Sequence, residues 1–254
     1  MRRRYLFFDY DGTLRSYAQG RIPASAEKAL ELLRRNGHHV ALATGRLQLD
    51  AFNLVRDSGI TTLVADGGNS VTVDGRLCWM EPMPLERCVR FLHWLEEHGF
   101  RWAVTVRNEL VRYTPFEDFA NGLPDSYIRT EVSPDLDADG LERIFKIFVP
   151  CAPGEEDGFD FGGVTWARYI PEAIYCEPTD KSVGIRKMMD ILHAPYEDVV
   201  VFGDGTNDRD MFCPEWTSVA MGNAIDDLKD RADLVTTSVD EDGVYNACVE
   251  LGLI

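Results

Sequence analysis

The stretch that most constrains the fold of this chain is Tyr5-Leu-Phe-Phe-Asp-Tyr-Asp-Gly-Thr-Leu14. Its apolar start predicts a buried strand, and the end of that strand carries Asp9 and Asp11. Side chains alternate along a strand, so the two carboxylates leave it on the same side unless the chain curls there. Carboxylates that close repel each other, and either a shared proton or a cation relieves the repulsion. Because hard Mg²⁺ prefers oxygen ligands, the stretch predicts an active site that holds Mg²⁺.

A second apolar run, His39–Ala43, is followed by Thr44 and Gly45. Residues 23–37, between the two runs, have the periodicity of an amphipathic helix. A strand, a helix and a strand of this length form a right-handed crossover with parallel strands. Thr44 and Gly45 are therefore expected at the carboxyl end of a strand beside the first, where open α/β sheets bind ligands. The Thr44 hydroxyl can donate to a phosphoryl oxygen, and Gly45 lets the backbone approach it.

A third apolar run, Val199–Phe202, ends in the polar turn Gly203-Asp204-Gly205-Thr206-Asn207-Asp208. A simple turn needs a glycine or two and one Asp, so two Asp and an Asn indicate a site. Upstream, Lys181 stands in the first turn of a predicted helix, where the helix dipole favours anions over cations. Either a bound anion nearby or exposure of the side chain to solvent would explain a lysine at that position.

The pattern changes between residues 81 and 178. Alternating strands become more frequent there, with a helix over residues 85–99. We therefore predict an inserted α+β domain over residues 81–178. The segments 1–80 and 179–254 together form the core, an α/β fold with a Rossmann-like, doubly wound and mainly parallel sheet.

The composition excludes several classes of protein. The chain has 254 residues with 43 Asp and Glu against 26 Lys and Arg, a net charge of −17. That charge argues against a broad nucleic-acid-binding face and against docking on anionic lipid. No stretch approaches the roughly twenty apolar residues that span a membrane. The six cysteines are scattered without a Cys-x-x-Cys pair, so we expect free thiols and a cytoplasmic protein. The sequence leaves the oligomeric state open.

Four motifs in this order resemble those of the haloacid dehalogenase superfamily, whose members mostly transfer phosphoryl groups through an aspartyl-phosphate. The first is Asp9-Tyr-Asp-Gly-Thr, the second Thr44-Gly-Arg, the third Lys181 and the fourth the turn 203–208. The nearest branch is the Cof-type hydrolases, and the insert resembles their substrate-selecting cap in size and position. Asp66-Gly67-Gly68 departs from the Asn-Gly-Ala that this branch usually has there.

The resemblance implies a role for each motif residue. Asp9 would be the nucleophile, and Asp11 would protonate the leaving oxygen and then activate water. The phosphate-binding residues would be Thr44, Gly45, Lys181 and Asn207, and Asn207 would support either the phosphate or the metal. The Mg²⁺ ligands would be Asp9, the backbone carbonyl of Asp11, Asp204 and Asp208. The implied function is a Mg²⁺-dependent phosphatase acting on small phosphomonoesters such as sugar phosphates, nucleotides or cofactor phosphates.

Two other functions fit the same core motifs. A phosphomutase related to phosphomannomutase would pass the phosphoryl group to a sugar hydroxyl instead of water, and it would need a bisphosphate activator. A non-catalytic sensor would keep the Mg²⁺ site and bind phosphate ligands. The sensor has no need of the acid/base Asp11, which favours an enzyme.

Overall fold

The computed structural model describes residues 2–119, 123–124 and 126–254 of the chain. The chain divides into two units. The first comprises Met1–Gly45, Ala51–Trp79 and Asp180–Ile254, and the second comprises Arg46–Asp50 and Met80–Thr179. The assignment of the second unit as a substrate-selecting cap stays a prediction.

Strands and helices of the described residues are numbered in chain order. The strands are β1 (Tyr5–Phe8), β2 (His39–Ala43), β3 (Leu63–Ala65), β4 (Ser70–Val73), β5 (Arg76–Met80), β6 (Ala103–Thr105), β7 (Val111–Thr114), β8 (Arg129–Val132), β9 (Lys146–Pro150), β10 (Trp166–Ile170), β11 (Ala173–Cys176), β12 (Val199–Gly203), β13 (Thr217–Ala220) and β14 (Leu234–Val235). The α-helices are α1 (Ala24–Arg35), α2 (Gln48–Val55), α3 (Leu85–Glu97), α4 (Lys181–Ile191), α5 (Asp226–Arg231) and α6 (Gly243–Glu250). Several short 3₁₀ turns connect them.

The sheet of the first unit has the strand order β14-β13-β12-β1-β2-β3-β4-β5. Neighbouring strands from β14 to β3 run parallel, and β4 runs antiparallel to β3. In the register of the central strands, Phe8 pairs with Phe202 on one side and with Leu42 on the other. The carboxyl ends of β12, β1 and β2 therefore meet at one edge. The prediction of a mainly parallel, Rossmann-like α/β core is confirmed.

The central strands are buried because their sequences are continuously apolar, as is typical of parallel strands covered on both faces. Leu6, Phe7 and Phe8 of β1 have no exposed surface. The helix α1 buries one stripe, Ala26, Ala29, Leu30 and Leu33, and exposes Glu27, Lys28, Glu31 and Arg35 to solvent. Each large apolar side chain buried in this way contributes roughly 1.5–3 kcal/mol.

The second unit is built on a six-stranded sheet in the order β10-β11-β9-β6-β7-β8. Its neighbouring strands are antiparallel except β7 and β8, which run parallel. Alternation along β9 places Ile147 and Val149 in one apolar cluster with α3, and Phe148 in another cluster with Tyr175. Both faces of this sheet are thus apolar.

The strand β8 does not follow from the sequence analysis. Its sequence, Arg129-Thr-Glu-Val132, lacks an apolar alternation because β8 lies at the edge of the sheet and is partly exposed. Within the described residues, no helix combines the length and apolar composition needed to cross a membrane.

Candidate active site

Three carboxylates converge where β1 and β12 end. Asp9 follows β1 directly, and its backbone N–H donates to the carbonyl of Phe202 on β12 at 2.9 Å. Asp204 and Asp208 belong to the turn after β12. One carboxylate oxygen of each of Asp9, Asp204 and Asp208 lies within 4.8 Å of the others. Asp9 and Asp208 are buried, whereas Asp204 is half-buried.

The ammonium group of Lys181 lies inside this acidic cluster. Its Nζ donates to Oδ1 of Asp9 and to Oδ1 of Asp208, each at 2.6 Å. Burial by itself lowers the pKa of Lys181, but the charges of Asp208 and Asp9 outweigh burial, so the net direction is upward. The position of Lys181 in the first turn of α4 is explained by these anions, which oppose the unfavourable helix dipole.

One lysine does not neutralise three carboxylates. Burial and the charge of Asp208 hold the pKa of Asp9 well above its usual range, although Lys181 opposes the shift. Burial likewise raises the pKa of Asp204 to about 6, although the hydrogen bond from Thr13 opposes it. The excess of negative charge among oxygen donors suits a hard divalent cation such as Mg²⁺.

Asp208 is tied to the backbone of its own turn. Its Oδ2 accepts hydrogen bonds from the backbone N–H groups of Asp204 and Gly205, both at 2.9 Å. A Cβ on Gly203 would lie 2.8 Å from the Cβ of Asp208, so a glycine at 203 permits this close turn. Because both oxygens of Asp208 have partners, this carboxylate shapes the turn that presents Asp204.

Asp204 is oriented by two side chains that the sequence analysis did not assign to the site. The Thr13 hydroxyl donates to Oδ1 at 2.8 Å, and Asn223 Nδ2 donates to Oδ2 at 3.2 Å. Asn223 also donates to the carbonyl of Gly12 at 2.9 Å, which links the turns after β1 and β12. One signal for Asn223 is available in the sequence, because it follows β13, the strand beside β12.

The side chain of Asp11 does not join the three-carboxylate cluster. Its Oδ1 accepts a hydrogen bond from Arg15 Nη1 at 3.1 Å, and its backbone carbonyl accepts one from the Tyr17 hydroxyl at 3.2 Å. The two predicted functions of Asp11 thus fall on different atoms, the carboxylate for proton transfer and the carbonyl for the metal.

Thr44 and Gly45 are buried directly after β2, the strand beside β1. The Thr44 backbone N–H donates to the Val64 carbonyl at 2.9 Å, which fixes the end of β2 against β3. Asn207 is half-buried in the turn after β12. All three follow strands whose carboxyl ends meet at the edge that bears Asp9, and their phosphate contacts stay a prediction.

The unusual Asp66-Gly67-Gly68 turn has a packing function in this structure. Gly68 has φ 114°, and a Cβ there would lie 2.2 Å from the carbonyl oxygen of Asp180. Residue 184 must also be a glycine, because a Cβ there would lie 2.6 Å from the Gly68 carbonyl oxygen. The two glycines let α4 begin directly against this turn, which fixes the position of Lys181.

A parallel α/β core with a lysine among carboxylates at the ends of adjacent strands fits the class of haloacid dehalogenase-type hydrolases. The family model for haloacid dehalogenase-like hydrolases matches residues 6–248, and the chain belongs to this family. The resemblance to its Cof-type branch is thereby confirmed.

Three similar proteins illustrate the relationship. The Bacillus subtilis (strain 168) protein YkrA, named as a candidate phosphatase, is 32% identical over 258 residues, which cover 98% of each chain. A solved protein from Geobacillus kaustophilus HTA426 is 29% identical with a TM-score of 0.84, covering 99% of this chain and 100% of its own. A solved sugar phosphatase of subclass IIB is 26% identical with a TM-score of 0.80 over 99% and 100% of the two chains.

Proposed function

We propose that this enzyme, a phosphoric monoester hydrolase, is a Mg²⁺-dependent phosphatase that hydrolyses small phosphomonoesters through an aspartyl-phosphate on Asp9. The observation that carries the proposal is the contact of Lys181 Nζ with the Asp9 carboxylate at 2.6 Å, inside a cluster of three carboxylates. In the proposed reaction Asp9 would be the nucleophile, the carboxylates would bind the cation, and the Lys181 ammonium would bind the phosphate. The phosphatase names of the similar proteins support the same reaction.

The residues present fit a Mg²⁺ ion. Oxygen atoms of Asp9 and Asp204 and the Asp11 carbonyl would hold it, and Asp208 would support the shell through the turn that it stabilises. When bound, the ion would neutralise phosphoryl charge and lower the repulsion between substrate and carboxylates. Thr13 and Asn223 would keep Asp204 oriented toward it, since partners of ligating carboxylates tune metal sites.

In the first step, an oxygen of Asp9 attacks phosphorus and the bond to the leaving oxygen breaks. Lys181 stabilises the negative charge of the transferring phosphoryl group, with Thr44, Gly45 and Asn207 donating to its oxygens. Asp11 gives its proton to the leaving oxygen. In the second step, a water molecule attacks phosphorus, Asp11 takes the water proton, and the Asp9–phosphate bond breaks to release inorganic phosphate.

The substrate class that we favour is a small phosphorylated metabolite such as a sugar phosphate, because a sugar phosphatase is among the similar structures. Nucleotides and cofactor phosphates belong to the same proposed range. The second unit would select among them as a cap. The six cysteines are free, which suits the reducing cytoplasm in which we place the enzyme.

The test is phosphate release from p-nitrophenyl phosphate and a panel of metabolite phosphates, with Mg²⁺ or with EDTA. We expect Mg²⁺-dependent release that Asp9→Asn abolishes while leaving the circular dichroism spectrum unchanged. Asp57→Asn is the control, because Asp57 is an exposed carboxylate outside the site. Substantial activity in Asp9→Asn would contradict the nucleophile, and activity that requires a bisphosphate would identify a mutase instead.

A further inference from the structure

The turn after β1 brings Arg15 back to Asp11. Two backbone hydrogen bonds close it, from Gly12 N–H to the Arg15 carbonyl at 2.9 Å and from Arg15 N–H to the Tyr10 carbonyl at 2.7 Å. The intervening Thr13 and Leu14 have no exposed surface, so the turn is anchored in the core. Arg15 thus has a fixed backbone next to Asp11.

The guanidinium of Arg15 is held at two points. Nη1 donates to Oδ1 of Asp11 at 3.1 Å, and Nε donates to the carbonyl of Gly20 at 3.3 Å. The side chains of Arg15 and Asp11 are only 30% and 27% exposed. A half-buried pair is screened less than a fully exposed ion pair, and the second contact limits the freedom of the guanidinium.

We infer that Arg15 is a positioning residue that holds the Asp11 carboxylate in the orientation from which it protonates the leaving oxygen. The inference rests on the proposed function, in which Asp11 is the acid and base. One carboxylate oxygen bound to a fixed guanidinium restricts the rotation of the Asp11 side chain. A proton donor held in place gains much of its effect from orientation, and misplacement by about 1 Å can reduce a rate on the order of a hundredfold.

This function predicts a dependence on the leaving group. As the Asp9 oxygen bonds to phosphorus, the bond from phosphorus to the leaving oxygen breaks, and an alkyl oxygen needs the Asp11 proton to leave. The p-nitrophenolate ion is stable without a proton, so its departure needs little help from an acid. Loss of Arg15 should therefore slow alkyl phosphates far more than p-nitrophenyl phosphate.

The experiment compares kcat/KM for p-nitrophenyl phosphate and for glycerol 2-phosphate in the wild type, Arg15→Ala, Arg15→Lys and Asp11→Asn. In Arg15→Ala we expect kcat/KM for the alkyl substrate to fall by about tenfold or more. This loss is a part of the roughly 10²–10⁴-fold acceleration that general acid catalysis supplies. The loss with p-nitrophenyl phosphate should stay within about twofold, and Arg15→Lys should recover part of the alkyl activity. Arg231→Ala is the matched control, because Arg231 forms another i,i+4 pair, with Asp227 at 3.2 Å.

Thermal unfolding of each variant separates folding defects from catalytic ones. Equal losses with both substrates in a folded Arg15→Ala variant, or wild-type activity with both, would overturn this inference alone. A wild type that releases no phosphate would overturn the proposed function as well. Asp11→Asn should show the same dependence on the leaving group as Arg15→Ala, but with larger losses. If Asp11→Asn lost activity equally with both substrates, Asp11 would not be the acid, and Arg15 would have no acid to position.

Discussion

Gly12 decides how closely the turn after β1 approaches Asp204. It has φ 93°, and a Cβ there would lie 2.2 Å from Oδ2 of Asp204. We expect Gly12→Ala to displace Asp204 and abolish phosphate release. The left-handed backbone alone should cost about 1–2 kcal/mol of unfolding free energy, and the displaced carboxylate should add to that. Urea unfolding and phosphate release measure the two effects.

Gly37 is the matched control for that substitution. It also has a positive φ, 83°, but a Cβ there would meet no atom within 4 Å. Gly37→Ala should therefore show the backbone cost without the loss of activity. Equal activities for the Gly12→Ala and Gly37→Ala variants would mean that the contact with Asp204 does not limit the site.

His39, the first residue of β2, makes stability depend on pH. Burial lowers the pKa of His39, with Arg3 adding to the shift and Asp74 opposing it, and Nε2 is buried without a hydrogen-bond partner. As the pH falls below about 6.5, the usual histidine value, the unfolded chain binds the proton first. The unfolding free energy contributed by neutral His39 is thus present above that pH and is lost below it.

We expect His39→Phe to reduce the fall in unfolding free energy between pH 7 and pH 5.5, as measured by urea titration at each pH. A phenyl ring retains the contact with Tyr5, whose ring centroid lies 5.5 Å from that of His39. The control is His193→Asn at an exposed position. If the unfolding free energy of His39→Phe fell with pH as steeply as that of the wild type, other groups would cause the acid sensitivity.

At the scale of elements, an ion pair is buried at one end of the second sheet. Lys146 begins β9, Glu177 follows β11, and the two form an ion pair with side chains only 4% and 1% exposed. The Tyr169 hydroxyl on β10 also donates to Glu177. Lys146→Met should destabilise the protein by about 3–5 kcal/mol, because it leaves the Glu177 charge buried without its cation.

A double-mutant cycle with Glu177→Gln tests this pair by urea unfolding. The double variant should lose clearly less unfolding free energy than the sum of the single variants, since the two residues interact directly. Arg129→Met is the control within the same sheet. Its partner Glu131 is 3.0 Å away but both side chains are well exposed, so the expected loss is at most about 1 kcal/mol. Additive losses at Lys146 and Glu177 would contradict the coupling.

The elements that position the site could be predicted because their signals are local. Continuous apolar runs predict β1, β2 and β12, and the polar residues after two of them include Asp9, Asp204 and Asp208, which the structure brings together. The parallel sheet then requires their ends to meet. The conflict of Lys181 with the helix dipole had two explanations, a nearby anion or a solvated side chain, and the contacts with Asp9 and Asp208 decide for the anion.

Other parts of the site could not be predicted, because they depend on tertiary geometry. Thr13 and Asn223 reach Asp204 from two different turns. The position of Asn223 after β13 indicates its edge of the sheet, but no pattern in the sequence gives its contact with Asp204. The contact of Asp11 with Arg15 depends on a side-chain rotamer and on the path of one turn. Polar edge strands such as β8 are missed for a similar reason, since their pairing is set by the neighbouring strand.

At the scale of the whole molecule, the two units have separate apolar cores. Among the described residues, the core of the first unit and the two clusters of the second share no side chain. Leu30 on α1 belongs to the first and Leu92 on α3 to the second, and both are at most 1% exposed. Units with independent cores can unfold locally one at a time, so that the backbone amides of one unit lose their protection from hydrogen exchange while those of the other keep it.

We therefore expect Leu30→Ala and Leu92→Ala to act on different parts of the chain. Each substitution should cost about 2–5 kcal/mol, because it removes buried atoms and leaves a cavity. Hydrogen exchange followed by mass spectrometry should show faster exchange of β1, β2 and β12 in Leu30→Ala, and of β6, β9 and β11 in Leu92→Ala. Each variant is the control for the other. If either substitution accelerated exchange equally in both sets of strands, the units would unfold as one, and stability in the second unit could not be changed without weakening the sheet that carries Asp9.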